Sequence, residues 1–455
     1  MLRPLLLAVL VALALPVRAQ DERPKNVVLM IADGFGPASA TLARTVAGRP
    51  LALDAILAGS VGTASTDSEV TDSASGATAY SCGLKTYNGA IGIDAGRHPC
   101  RTLLEAAEAR GMATGLVATS RLTHATPAAF VAHVVGRDEE VEIAAQMVAS
   151  GADVLFGGGR RFFTPEAAGG RRPDGRDLLA ELEGRGYAVA TDRAGYDALD
   201  AVPAAALLAP DHLAYELDRD SLPRTGGETD EPSLAEMTRK ALDLLSESAA
   251  GRDEGFFLMV EGSRVDHAAH GHDPAAHYRD VLAYDDAVAA VLDFARRDGR
   301  TLVVSVADHE TGGLTLGRDG VYAWDPGFLR GVTASVERMA ARIAEGEDAA
   351  AVAREGLGVD DLLPAETAAL RAAAEGQPGT DLGRVLADLV SRRAGVGWTT
   401  SGHTAVDVLL YRFGPGSERL AGRVENDAVG RALFELMEAE PFVESRALPL
   451  PPGGE

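Results

Sequence analysis

The chain has 455 residues, of which 46% are hydrophobic, and its 67 acidic residues outnumber the 43 basic ones, giving a formal net charge of -24. This length and apolar content suffice for a large buried core, in one large α/β domain or in two smaller ones. A surface this acidic disfavours nucleic acid and anionic membranes as partners, because both carry negative charge. It also repels small anions, so a site for one must supply its own positive charge.

Residues 1–19 have the composition of a secretory signal peptide. Arg3 provides a positive start, residues 5–15 form an apolar centre, and residues 17–19 form a small-residue end. The segment is too short and wrongly flanked for a membrane-spanning helix, and an N-terminal anchor is the alternative. No later stretch of the sequence is long and apolar enough to cross a bilayer. We therefore expect an exported protein, periplasmic or secreted, with a single domain over residues 20–455.

Cys82 and Cys100 are the only cysteines of the chain. An exported protein can join two such cysteines in a disulfide, but the sequence alone leaves the pairing open. Two thiols without a C-x-x-C pattern are too few for a cysteine-based zinc site.

Apolar runs alternate with helical patterns along the chain. Continuous apolar runs at residues 25–31, 112–119, 256–262 and 301–306 predict buried strands. This alternation predicts an α/β fold with a large, mostly parallel sheet and helices on both faces. Residues 318–395 differ, because they are rich in alanine and charge and contain no strong strand, and we expect a helical insertion or cap there.

Acidic and histidine side chains stand where the apolar runs end. Asp33 and Glu261 lie at the ends of the first and third runs, Asp308 and His309 follow the fourth, and His403 precedes a further run. In doubly wound sheets, ligands bind at the carboxyl edge of the strands. Adjacent residues of a strand point oppositely, so Asp308 and His309 reach the same ion only if the strand has already ended.

A second group of possible ligands follows the third run. Asp266 and His270 have a D-x-x-x-H spacing, which puts both side chains on one face of a helix. Mixed aspartate and histidine ligation suits zinc, whereas all-oxygen ligation suits magnesium. Together with the strand-end residues, these side chains predict a metal site at one edge of the sheet.

The polar, small-residue stretch at 66–83 places the pair Asp72-Ser73 at the predicted start of a helix. Unpaired backbone N–H groups and the helix dipole make such a position favourable for an anion. A lone serine there is most often only a helix cap. The predicted metal ligands elsewhere in the chain instead favour Ser73 as a nucleophile.

Six stretches of the chain read like the motifs of one enzyme family. They are V-V-L-M-I-A-D-G-F-G, T-D-S-A-S-G-A-T-A-Y-S-C-G, H-A-T-P-A-A-F-V-A-H, F-F-L-M-V-E-G-S-R-V-D-H-A-A-H, V-A-D-H-E-T-G-G and G-W-T-T-S-G-H-T. In these motifs and in their order, the chain resembles the alkaline phosphatases, and within that family the fungal vacuolar type. The resemblance spans most of the chain and is weakest over residues 318–395.

The resemblance implies a metal-dependent enzyme that hydrolyses small phosphate monoesters. Ser73 would be the nucleophile and would pass through a phosphoseryl intermediate. Arg137 would grip two phosphate oxygens, and Asp72 would orient that arginine. Relatives are usually dimers, so the resemblance also implies a homodimer.

Three metal ions are implied by the same resemblance. One zinc ion would be held by Asp266, His270 and His403. A second zinc ion would be held by Asp33, Asp308 and His309. A magnesium ion would be held by Asp33, Thr126 and Glu261.

His124 and His267 occupy positions that vary within the family. By the resemblance, His267 contacts phosphate through water, and His124 lies beside the third ion, where a histidine would favour zinc or cobalt over magnesium. The other histidines match no role in the family, and we interpret them as ordinary surface or packing residues: His98, His133, His212, His272 and His277.

Other hydrolases share this fold and remain as alternatives. A sulfatase needs the pattern C/S-x-P-x-R, which neither Ser73 nor Cys82 begins. A phosphodiesterase would have a reason to lack Arg137, because a diester offers fewer charged oxygens. A non-catalytic exported protein that binds phosphate or zinc would need no nucleophile, so Ser73 beside a full ligand set argues against it.

Overall fold

The computed structural model describes residues 23–219 and 231–450, so the predicted signal peptide over residues 1–19 lies outside the described residues. In the described part, ten strands form one central sheet and four more pair in two short ladders. The strands are β1 Asn26–Ala32, β2 Leu57–Gly62, β3 Ala113–Arg121, β4 Val154–Gly158, β5 Ala188–Ala190, β6 Ala204–Leu207, β7 Phe256–Gly262, β8 Thr301–Val306, β9 Glu310–Thr311, β10 Thr315–Leu316, β11 Val396–Gly397, β12 His403–Thr404, β13 Val408–Phe413 and β14 Gly422–Glu425.

The central sheet has the strand order β14-β2-β13-β8-β1-β7-β3-β4-β6-β5. β13 runs antiparallel to both of its neighbours, and all other neighbouring strands of this sheet run parallel. Every residue of β1, β7 and β8 is buried, as expected for parallel strands that helices cover on both faces. The predicted α/β fold with a mostly parallel sheet is therefore confirmed.

The helices of the described part surround this sheet and form a separate group near the end of the chain. They are α1 Pro37–Ala47, α2 Ser73–Cys82, α3 Leu103–Ala109, α4 Ala125–Ala128, α5 Glu140–Ser150, α6 Leu178–Gly184, α7 Arg193–Ala198, α8 Glu216–Arg219, α9 Leu234–Glu247, α10 Ala249–Asp253, α11 Arg264–His270, α12 Pro274–Asp298, α13 Pro326–Gly331, α14 Val336–Ala344, α15 Ala349–Leu357, α16 Pro364–Ala374, α17 Leu382–Ala394 and α18 Asn426–Leu436. Among the described residues, none of the helices combines the length and apolarity needed to cross a bilayer.

Two strands at one edge of the sheet, β2 and β14, lack the apolar runs that predict strands. Their parallel pairing depends on glycine, because a Cβ on Gly59 would lie 1.9 Å from the carbonyl oxygen of Gly422. Glycine in a strand often marks such a close approach of two backbones. The pairing is therefore a tertiary contact that no local sequence pattern predicts.

Helices α13 to α17 occupy most of the stretch for which a helical insertion is predicted, and we call them the cap. The ladder of β10 with β11 joins the two ends of the cap at its base. The cap also bonds to the residues around α11, because the backbone N–H of Val336 donates to Asp273 Oδ2 at 2.7 Å and Arg264 Nη2 donates to Glu337 at 3.0 Å. These bonds hold the cap beside the helix that carries Asp266 and His270.

Cys82 and Cys100 form a disulfide, which answers the question that the sequence leaves open. Both cysteines are buried, and the bond links the end of α2 to the segment before α3. It therefore ties down the helix that begins with Ser73.

We expect the double variant Cys82→Ala/Cys100→Ala to be about 3 kcal/mol less stable than the wild type, because a closed loop of this size restricts the unfolded chain by about that amount. The free energy of unfolding from denaturant titration measures the loss. The wild type in reducing agent serves as a control and should approach the variant. Equal stability of the oxidised wild type and the variant would contradict the prediction.

Candidate active site

The carboxyl ends of adjacent parallel strands bring four of the predicted site residues together. In the register of the sheet, Ile31 of β1 lies opposite Glu261 of β7 on one side and Val306 of β8 on the other. Asp33, Asp308 and His309 therefore emerge just beyond these ends, at the same edge as Glu261. β8 ends at Val306, so Asp308 and His309 meet the condition for reaching one ion.

The turn after β1 is shaped by a glycine. Gly34 has a φ of +71°, a conformation that favours glycine, and a Cβ there would lie 2.8 Å from the side chain of Asp266. The N–H of Gly34 donates to Asp308 Oδ1 at 3.2 Å. The glycine thus lets the strand end, α11 and the segment after β8 approach one another closely.

A first group of ligands combines α11 with β12. Asp266 and His270 are one helical turn apart, with His270 Nε2 at 3.3 Å from Asp266 Oδ2. His403 Nε2 lies 3.2 Å from His270 Nε2 and 3.8 Å from Asp266 Oδ1. Thr311, which the sequence reasoning missed, donates to Asp266 Oδ1 at 2.5 Å. The structure therefore brings together the three residues predicted for the first zinc ion.

A second group lies beside the first. His309 Nε2 is 3.4 Å from Asp33 Oδ1 and 3.3 Å from Asp308 Oδ2, and all three residues are fully buried. Possible ligand atoms of these three residues all lie within 4.8 Å of one another. The His309 ring also stacks on His403, with 3.5 Å between ring centroids. These are the residues predicted for the second zinc ion, next to the first group.

A third group shares Asp33 with the second. Asp33, His124 and Glu261 have possible ligand atoms within 4.8 Å of one another. Thr126 is also buried here, close to Glu261. The structure therefore places His124 among the residues predicted for the third ion.

The donor atoms of these groups fit metal ions. Both oxygens of Asp33, Asp308 Oδ2, Glu261 Oε1 and Thr126 Oγ1 are buried without a hydrogen-bond partner among the described residues. Buried polar atoms are normally paired, and buried charges are normally paired or bind metals. Cations at the second and third groups would supply the missing partners.

Burial and mutual repulsion act on the same carboxyl groups. Burial, with the nearby Asp308, Asp266 and Glu261, raises the pKa of Asp33 well above its usual range. Burial raises the pKa of Asp308 to about 7 and that of Glu261 to about 8. Without added positive charge, these groups therefore keep their protons near neutral pH.

Ser73 is the first residue of α2, as the sequence predicts. Asp72 caps the helix, with its carboxylate accepting the N–H of Ser75 at 3.0 Å. Ser73 Oγ lies 3.2 Å from His309 Nε2, and its residue is buried. The serine hydroxyl is thus in direct contact with the second group of ligands.

Arg137 lies on the other side of the helix start. Its Nη1 donates to Asp72 Oδ2 at 2.9 Å, which is the orienting contact predicted for Asp72. Its Nη2 donates to His124 Nε2 at 3.1 Å. The guanidinium is therefore held between Asp72 and the third group of ligands.

The match to known proteins decides the family. The family model for alkaline phosphatase matches residues 24–439. The chain is 39% identical to the repressible alkaline phosphatase of Saccharomyces cerevisiae, over 95% of this chain and 85% of that protein. The chain belongs to the alkaline phosphatase family. It is therefore a hydrolase of phosphate monoesters that depends on metal ions.

Solved structures support the same alkaline phosphatase fold. A cold-active alkaline phosphatase from a Shewanella species matches with a TM-score of 0.81 and 34% identity, over 90% of this chain and 99% of that one. The alkaline phosphatase of the Antarctic bacterium TAB5 matches with a TM-score of 0.67 and 29% identity, over 92% of this chain and 99% of that one. A second structure of the TAB5 enzyme, a mutant with a histidine replaced by aspartate and with Mg bound in its M3 site, matches equally well.

In this alkaline phosphatase, His267 forms a wall of the site with a histidine that sequence reasoning did not place there. Its Nδ1 accepts a hydrogen bond from Arg264 at 3.1 Å, and burial lowers its pKa to about 3. Its ring packs at 4.3 Å from the ring of His212, which accepts a hydrogen bond from Arg121 at 2.7 Å. His212 therefore has the packing role that we expected, here against a histidine of the site. It stands alone in a loop, and no neighbouring motif signals this position.

Three other histidines have the packing roles that we expected. His98 and His133 bond to the carboxylates of Asp94 and Glu105. His277 is buried and bonds to the carbonyl oxygen of Val265. These contacts stabilise the fold.

We expect the chelated protein to lose stability as the pH rises from about 6.5 to about 9. A carboxyl group whose pKa is raised by folding stabilises the fold below its unfolded pKa, and this contribution disappears as pH rises through the folded value. The same holds for His270, where burial opposes protonation but the bond to Asp266 outweighs it and raises the pKa to about 9. Histidines with lowered pKa act in the opposite direction only below about pH 6.5.

The free energy of unfolding in denaturant titrations, with chelator present, measures this slope. The metal-loaded protein should lack it, because cations compensate the carboxylates. The Glu261→Gln variant removes one titrating group and should show a smaller slope after chelation. A flat profile for the chelated wild type across this range would contradict the prediction.

Proposed function

We propose that Ser73 is the nucleophile of this alkaline phosphatase. The observation that carries the proposal is the contact of its hydroxyl with His309, next to carboxylate oxygens that lack partners. A serine hydroxyl is a poor nucleophile at its free pKa and needs activation by its surroundings. Its place at the start of α2 also directs backbone N–H groups toward a bound phosphate.

The proposal includes two zinc ions and one magnesium ion. The group of Asp266, His270 and His403 would hold the first zinc ion, and the group of Asp33, Asp308 and His309 the second. Asp33, Thr126 and Glu261 would hold the third ion. His124 lies close enough to act as a further ligand, and its imidazole would favour zinc or cobalt over magnesium at this site. Bound zinc supplies the positive charge that lowers the pKa of a hydroxyl and stabilises the attacking and leaving oxygens.

The residues of the chain bind and orient the phosphate. Arg137 would bind two non-bridging phosphate oxygens, because its guanidinium matches their geometry bidentately. Asp72 holds that guanidinium in place, and His267 would contact the phosphate through water. Positioning and charge neutralisation carry most of the rate in phosphoryl transfer, so these contacts matter as much as the nucleophile.

The reaction then has two displacements. Ser73 Oγ forms a bond to phosphorus while the bond to the alcohol oxygen breaks, which gives a phosphoseryl intermediate and the alcohol. Water attacks the phosphoserine and releases inorganic phosphate. The presence of Arg137 favours monoesters over diesters. A monoester has three non-bridging oxygens, so two can bind Arg137 while a third stays free, whereas a diester has only two. Phosphodiester hydrolysis is the alternative.

We also propose that residues 1–19 direct export to the periplasm or the medium and that the protein is a homodimer. The disulfide of Cys82 with Cys100 supports export, because disulfides persist in oxidising compartments. The dimer is supported by the family resemblance. Light scattering of the purified protein at known concentration tests it.

We expect Ser73→Ala to abolish nearly all hydrolysis of p-nitrophenyl phosphate while leaving the metal content unchanged, because the serine is not needed to assemble the carboxylate and histidine ligands. Product release and elemental analysis are the two measurements. Ser81→Ala on the same helix is a matched control, since Ser81 bonds only to neighbouring residues. Turnover of Ser73→Ala at the wild-type rate would remove Ser73 from this role.

We expect His124→Asp to shift the third site toward magnesium, because oxygen ligands suit magnesium and imidazole suits zinc or cobalt. A TAB5 alkaline phosphatase mutant with a histidine replaced by aspartate binds Mg in its M3 site, which supports this expectation. Elemental analysis after dialysis against equal zinc and magnesium gives the metal ratio. An unchanged ratio in variant and wild type would contradict the role of His124.

A further inference from the structure

A cavity of about 360 Å³ lies between α11 and the cap. His267 and His270 line it from the catalytic side, and Glu337 and Arg384 line it from the cap. The volume is in the range of pockets that hold small ligands. We call it the inner cavity. It offers space next to the proposed catalytic groups that the phosphate itself does not use.

A second cavity of about 320 Å³ adjoins the first, and we call it the outer cavity. His272 and Trp398 line one side, and Arg384 lines this cavity as well as the inner one. The ring of His272 stacks on Trp398 with 2° between the ring planes, a packing role of the kind that we expected. The shared Arg384 therefore connects a space beside His270 with an aromatic wall further out.

Arg384 is held in place without being neutralised. Its Nη1 donates to His272 Nδ1 at 3.0 Å. His272 Nε2 donates to the carbonyl oxygen of Thr400 at 2.8 Å, so Nδ1 is the acceptor and the imidazole is neutral. Among the residues that the structure describes, Arg384 forms no ion pair with a carboxylate, so its charge is available to a ligand.

The other arginines of the outer cavity are already paired. Arg392 donates to Asp388 at 2.5 Å, and Arg318 donates to Asp319 at 2.9 Å. Arg384 is thus the one cation of this wall, within the described part of the chain, that lacks an acidic partner.

The acidic residues of the inner cavity are also occupied. Glu337 pairs with Arg264 at 3.0 Å, and Asp273 accepts backbone N–H groups of Ala275, Ala276 and Val336. Asp381, which also lines this cavity, caps α17 by accepting the backbone N–H of Arg384 at 2.7 Å. Because these carboxylates already have partners, Arg384 is the group that discriminates ligands by charge.

We infer that the two cavities form a leaving-group subsite that selects phosphate monoesters whose alcohol carries a second anionic group, a carboxylate or a second phosphate. Arg384 binds that second anion, and the stacked rings of His272 and Trp398 pack against the body of the alcohol. The inference rests on the proposed function, in which the phosphate lies between Ser73 and the group that includes His270. An in-line displacement then sends the alcohol past His270, toward the cap.

The test compares esters that differ only at the far end of the alcohol. The acid 4-(carboxymethyl)phenyl phosphate and its primary amide have similar leaving groups but differ in charge. The analogue 4-(phosphonomethyl)phenyl phosphate replaces the carboxylate with a phosphate-like anion and so distinguishes the two kinds of second anion. The quantity measured is the kcat/KM of each anionic ester divided by that of the amide, for the metal-loaded enzyme.

In the wild type we expect this ratio to exceed one for at least one of the anionic esters. Arg384→Gln should lower it about tenfold, the effect of losing one charge-assisted hydrogen bond. Arg384→Lys, which keeps the charge, should restore part of it. Arg371→Gln is the matched control, because Arg371 is an exposed arginine of the cap that lines neither cavity. It should leave the ratio unchanged.

Equal ratios in the wild type and in Arg384→Gln would overturn the subsite while leaving the phosphatase activity established. An equal fall in Arg384→Gln and Arg371→Gln would also overturn it, because the effect would then be general electrostatics. Absence of turnover for all three esters in the wild type would remove the proposed function and the subsite with it.

Discussion

The burial of four carboxyl groups at one edge of the sheet is the constraint on which the rest of the structure depends. Asp33, Glu261, Asp266 and Asp308 are all almost inaccessible to solvent, and several of their oxygens have no partner. Like charges that are buried together oppose ionisation unless positive charge is added. Parallel strands with aligned ends impose this crowding, and metal ions relieve it. In this fold, Asp33, Glu261 and Asp308 therefore need bound cations to be fully ionised at neutral pH, whereas His270 and the other nearby histidines keep the pKa of Asp266 low.

The same crowding explains how an acidic protein handles an anionic substrate. The chain carries a net charge of -24, which repels phosphate esters at long range. Within the proposed site, Arg137 and the start of α2 would add to the charge of bound cations and reverse the local sign. Asp72 links these elements, because it caps α2 and accepts a hydrogen bond from Arg137. A single carboxylate therefore fixes both the helix that begins with Ser73 and the guanidinium of Arg137.

Much of the arrangement of the candidate site was predictable from the sequence, because its residues follow rules of local structure. Asp33, Glu261 and the Asp308-His309 pair lie at the ends of apolar strands, and Ser73 lies at a helix start. His212 and Arg384 were not predictable in this way, since isolated loop and helix residues acquire their neighbours only through tertiary packing. The pairing of β2 with β14 was not predicted for a related reason. Gly59 makes the pairing possible because it lacks a side chain, whereas a strand is predicted from apolar side chains. The family motifs predicted the ligand groups that the fold brings together but carried no information about the cap.

Locating the metal ions in the active enzyme is the most direct test of whether the two groups of ligands beside Ser73 bind zinc. Crystals of enzyme with verified turnover, measured on both sides of the zinc absorption edge, give an anomalous difference map. We expect one strong zinc peak among Asp266, His270 and His403. We expect a second peak among Asp33, Asp308 and His309, within reach of Ser73 Oγ. Active crystals with no anomalous peak at these two groups, or with zinc only elsewhere on the protein, would contradict this expectation.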